Sequence, residues 1–137
     1  MKSDEYVDRL LQTIRVRPAM YLGCVSLQML NQFLAGFEFA LLEITGEHSP
    51  FHLRMQLFVQ QKYDIPLTEK NWVHLISEHA DSQEAALYLF YELLDEMKQS
   101  RYATMSLAEL QEEHDRMITE AFREMLAADA AAEDGEA

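Results

Sequence analysis

The chain reads as an all-α protein, a single-domain bundle of about six helices. Two observations lead there. Apolar residues recur at intervals of three and four along most of the 137 residues, while sustained apolar–polar alternation, the mark of a half-buried strand, occurs nowhere. Glycine and proline are scarce, four and three residues, and they punctuate the ends of the periodic segments.

The first helix is expected from about Asp4 to Val16. Ser3 suits the N-cap, and Asp4 and Glu5 oppose the dipole of the first turn. Tyr6, Leu10, Leu11 and Ile14 make its apolar stripe, and Pro18 ends it. A second helix should follow Ser26 and stop before Gly46, with Leu27, Leu30, Leu34, Phe37, Leu41 and Ile44 as an inward seam. Phe33, Phe39, Ala40 and Leu42 widen its apolar surface, which marks this helix as central. Gly36 inside it costs about 1 kcal/mol relative to alanine, so a close helix crossing is expected there.

Ser49-Pro50 opens the third helix, which carries Phe51, Met55 and Phe58 and ends near Tyr63 before a turn at Asp64-Ile65-Pro66. The fourth covers roughly Glu69 to His79, with Trp72, Leu75 and Ile76 inward. Asp81-Ser82-Gln83-Glu84 allows a capping box before the fifth helix, which runs to about Lys98. Ser106 and Glu109 form a clearer one before the sixth. Residues 1–127 make the helical domain, and 128–137 are expected as an acidic tail of frayed helix passing into disorder.

Charge bounds the function. Eleven basic residues stand against 24 acidic ones, a net charge of −13. A nucleic-acid backbone or an anionic membrane surface needs a basic footprint, so neither is expected as a partner. A basic protein is. The acidity is uneven. Residues 64–96 hold eight acids and one base, Lys70, and residues 106–137 hold ten acids and two bases. The single cysteine, Cys24, fits a reducing compartment, and no segment reads as a leader or a membrane span, so the expected location is cytoplasmic.

Catalytic signatures are missing. His48, His52, His74, His79 and His114 show no metal-ligand spacing, and no cofactor is expected. Isolated glycines exclude a phosphate-cradling loop. Cys24 reads as a small buried filler rather than a nucleophile.

The most distinctive string runs from Arg15 to Gly23. Pro18 stops a helix, Gly23 can take a positive φ, and Met20, Tyr21 and Leu22 can plug the gap between helices. Arg15 and Arg17 can cap carbonyls or hold a carboxylate. Its core, R-P-x-M-Y-x-G, resembles a segment of the ATPase domain of type II topoisomerase B subunits. The acidic asparagine-bearing helix and Gly-rich lid of that domain are absent here, which excludes an ATPase. The string also resembles a set of small bacterial proteins. Their pattern continues as S-L-x-x-L-x-x-F-x-x-G, then N-W, then an acidic-aromatic helix, matched here by Ser26 to Gly36, Asn71-Trp72, and Phe90 to Met97. That resemblance implies an immunity protein of a toxin system, of the contact-dependent-inhibition type.

On the fifth helix, Glu84, Tyr88, Tyr91 and Asp95 lie opposite the apolar face at spacings of four, three and four, flanked by Glu92 and Glu96. Tyrosines among carboxylates suit an interface for a basic toxin domain, of the nuclease kind. The competing reading packs both tyrosines against a neighbouring helix. A second functional class is a helical adaptor that self-associates, as a homodimer, through the seam of the second helix.

Overall fold

The computed structural model describes residues 3–135. Seven α-helices follow in order: α1 (Ser3–Val16), α2 (Pro18–Leu22), α3 (Leu27–Thr45), α4 (Phe51–Lys62), α5 (Trp72–Glu78), α6 (Gln83–Lys98) and α7 (Leu107–Gly135). A 3-10 turn, Arg101–Thr104, joins α6 to α7, and the described residues contain no strand. The all-α expectation holds. The extra helix is α2, a single turn begun by Pro18 and closed by Gly23 at φ 78°. Proline pre-sets the first helical φ, and glycine takes the left-handed conformation without steric penalty.

Short polar side chains start the helices. Ser26 accepts from the Met29 amide, Asn71 from His74 and Ser82 from Ala85. Ser106 and Glu109 close the reciprocal capping box, at 3.1 and 3.2 Å. At the other predicted box Ser82 alone caps, and Glu84 points away into solvent.

The core gathers on α4 and α6 rather than on α3. Seven residues are buried on each of those two helices, but only four on the longer α3. Trp72 stacks on Phe90 at 5.2 Å between ring centroids, and Phe51 meets Trp72 edge-on at 5.9 Å. Such offset and T-shaped pairs add to what area burial alone gives. α6 packs against α3, α4, α5 and the 3-10 turn; α1 lies on α2 and α3; α7 lies along α4.

Several details depart from the sequence reading. Ile44 is 82% exposed, because the inward seam of α3 ends at Leu41. No other element crosses α3 at Gly36, where an added Cβ would meet nothing within 4 Å. Met20 and Tyr21 face solvent and only Leu22 plugs the gap, since a one-turn helix can turn only one side inward. Cys24 is exposed, because it lies in the short connection before the Ser26 cap rather than on a helix face. Past residue 127 the helix of α7 continues to Gly135, and Glu136 and Ala137 of the expected tail lie outside the described residues. Alanine-rich sequence propagates a helix once it has begun. That extension packs on nothing, since every residue from 122 to 135 is exposed.

A buried cation connects the beginning, middle and end of the chain. The Arg54 guanidinium, on α4, donates to the carbonyls of Tyr102, Ala103 (3.1 Å) and Met105 (2.9 Å), and to Asp4 at 2.9 Å. Arg54→Ala should lower stability by about 3 kcal/mol, since it strands these acceptors. Gly36→Ala should raise it by about 1 kcal/mol, because the glycine is solvent-exposed in a helix interior. Urea denaturation midpoints of the two variants check both.

Candidate functional site

The sequence singled out two features that lie far apart in the chain: the Arg15–Gly23 connection and the outer face of α6. The fold places them side by side. Arg15, at the end of α1, forms a bidentate ion pair with Asp95 of α6, at 2.8 and 2.7 Å. Its guanidinium also lies over the Tyr91 ring, 5.0 Å from the centroid. Arg15 thus holds a carboxylate, one of its two anticipated roles. The pairing pulls the Asp95 carboxyl below its ordinary range through the hydrogen bond to Arg15.

Tyr91 corrects the expected outward stripe. It is only 5% exposed, and its hydroxyl donates to the Leu11 carbonyl at 2.7 Å. Burial drives its pKa well upward, so it is a neutral donor at any physiological pH. The reason is helical geometry. Tyr91 and Asp95, four residues apart, share the row that turns toward α1. The row that faces solvent is Glu84, Tyr88, Glu92 and Glu96, each four residues after the last, and all four are exposed.

The six candidate residues therefore divide. Tyr91 is structural. Asp95 is held by Arg15, and Glu96 by Lys62 at 2.9 Å. Glu84 and Glu92 have no ion-pair partner among the described residues, and Tyr88 between them is 55% exposed. A cleft of about 290 Å³ opens here, lined by Arg15, Pro18, Leu87, Tyr88, Tyr91 and Glu92. Pro18 and Leu87 were not anticipated as lining. Only the tertiary contact between α1–α2 and α6 brings them to Tyr88, and nothing in local spacing signals it. The cleft offers an apolar floor, an aromatic wall and an unneutralised carboxylate. That combination suits a long cationic side chain, with its stem on the floor and its charge at Glu92.

Elsewhere some acids are held by the chain's own cations and others are not. Glu113 of α7 receives both Arg101 (2.8 Å) and Arg116, and Arg116 also reaches Glu120 at 2.7 Å. Glu78 is held by Lys70 at 2.5 Å, and Asp8 by Lys98 at 2.5 Å. His52 accepts the Trp72 indole N–H on Nδ1 at 3.1 Å, so its Nε2 carries the proton directed at Glu38, 2.6 Å away. Among the described residues no three His, Cys, Asp or Glu side chains form a group that could hold a metal ion. No helix there is long and apolar enough to cross a membrane.

Comparison with protein-family models, with curated proteins and with solved structures finds no match to this chain.

Acid should loosen α7. Hydrogen bonds from Arg116 and Arg101 lower the Glu113 pKa from 4.5 to about 2. A depressed carboxyl pKa gives stability that is fully present above the unfolded value and lost as pH falls toward the folded one. The denaturation midpoint should therefore drop between about pH 4.5 and pH 2, and Glu113→Gln should flatten that part of the profile.

Proposed function

We propose that the protein is an immunity protein: it binds a basic toxin domain, of nuclease type, and blocks it by occupancy. The observation that carries this reading is the solvent-facing row of α6. There an exposed tyrosine stands between two carboxylates that have no ion-pair partner among the described residues, at the mouth of a cleft fit for a lysine or arginine side chain. Aromatic anchors and desolvated charge pairs supply most of the energy in such interfaces. The net charge of −13 supplies long-range attraction for a cationic partner and speeds encounter. The likeness of the Arg17–Gly23 string to small bacterial immunity proteins agrees with this, and a cytoplasmic location is part of the same proposal. Inhibition of this kind requires no chemistry from the inhibitor.

The adaptor reading loses its proposed contact, because Leu27, Leu30, Leu34 and Leu41 are already buried in the chain's own core. A seam used internally is not free to pair with another chain.

The test is growth of cells that express the toxin encoded beside this gene. Survival should require the protein, and survival unchanged by its deletion would refute the reading. In vitro, Tyr88→Ala and Glu92→Lys should each weaken the complex about tenfold or more, with the thermal midpoint unchanged. Added salt should weaken it further, since screening removes the attraction between exposed charges.

A further inference from the structure

Trp72 is 2% exposed, and a buried indole N–H needs an acceptor. Its acceptor is a titratable group, Nδ1 of His52, at 3.1 Å. An indole nitrogen only donates, so Nδ1 must keep its lone pair and the neutral ring carries its proton on Nε2. From there the proton is donated to Glu38 at 2.6 Å. Trp72, His52 and Glu38 thus join α5, α4 and α3 through one imidazole, with both hydrogen bonds running in the same direction. Only one protonation state completes this chain. A second proton has to sit on Nδ1, where it meets the indole N–H head on.

We propose that His52 is a pH-operated joint. Neutral, it locks Trp72 to α4; protonated, it releases the indole and stays bound to Glu38 alone. The His52 side chain is 41% exposed, so a proton reaches it from solvent without unfolding, while Trp72 stays enclosed. With its acceptor gone, the indole must shift to find another, and its ring contacts with Phe51 and Phe90 shift with it. Trp72 is the first residue of α5, so the start of that helix is what moves.

Few groups act on the ring. Glu38 of α3 attracts the second proton. The Trp72 N–H of α5 opposes it, and so does the positive end of α4, in whose first turn His52 lies. α6, α7 and the 3-10 turn also pack on α4. Among the described residues they place no charged or titratable side chain in hydrogen-bond or ion-pair contact with His52. The joint lies on α3, α4 and α5, apart from the cleft beside α6, and does not rest on the toxin-binding reading.

The chain has a single tryptophan, so indole signals report on this joint alone. Histidine side chains change charge between about pH 8 and pH 5. Across that range the full-length protein should show a one-proton fall in tryptophan emission, because an imidazolium beside an indole quenches it. Circular dichroism should stay constant, since the Glu113 ion pairs weaken only below about pH 4.5. His52→Gln should abolish the transition: its carboxamide can accept from Trp72 and donate to Glu38 but does not titrate. His74→Gln and His79→Gln should each retain it. A measurement on the unaltered protein guards against a misfolded variant. By NMR, the Trp72 indole proton should be about tenfold less protected from exchange at pH 5 than at pH 8, relative to free indole at the same pH. Four results would overturn the proposal: a flat emission titration, a transition that survives His52→Gln, one removed by His74→Gln or His79→Gln, and an indole proton equally protected at both pH values.

Discussion

One guanidinium ties α4 to both the N-terminal helix and the turn that precedes α7. Arg54, on α4, is only 5% exposed, yet its hydrogen bonds reach α1 and the turn that precedes α7. Taking a cation out of water is unfavourable unless its donors are matched, and here Asp4 and three backbone carbonyls match them. Those carbonyls belong to the 3-10 turn and the residue after it, where backbone acceptors lack the partners an α-helix would provide. The arginine and the turn therefore satisfy each other. With the turn fixed, α7 leaves the body in a direction that lays Glu113 between Arg101 and Arg116.

The candidate site depends on a second constraint of the same kind. Arg15 neutralises Asp95 and covers Tyr91, so the inner row of α6 is closed by the first helix. The outer row remains open, with Glu96 held by Lys62 and Glu84 and Glu92 in no ion pair among the described residues. A single helix thus has a packed row and a solvent-facing row side by side, separated by a small rotation about its axis.

Much of the architecture was legible in the sequence because it is encoded locally. Ser26, Ser82 and Ser106 mark helix starts, Gly23 and Gly46 mark ends, and the inward leucines of α3 follow the helical period. Local pattern could not rank the helices. α3 is the most apolar stretch by composition, but α4 and α6, with more polar sequences, are buried more completely. Arg54 looks like an ordinary surface residue between Leu53 and Met55, and its partners lie about 50 residues away in both directions. Of the candidate site, the acid–aromatic character of α6 was readable, but the division between Tyr88 and Tyr91 was not. Both tyrosines lie off the apolar stripe, and only the position of Arg15 and Leu11 decides which of them turns inward.

The contacts between Tyr91 and Leu11, and between Asp95 and Arg15, span 80 residues of chain. Closing a loop of that length costs conformational entropy that grows only slowly with the number of residues enclosed. The clasp of Arg15 and Leu11 on α6 therefore encloses α2 to α5 in one closed circuit, while α1 keeps separate contacts with α2 and α3.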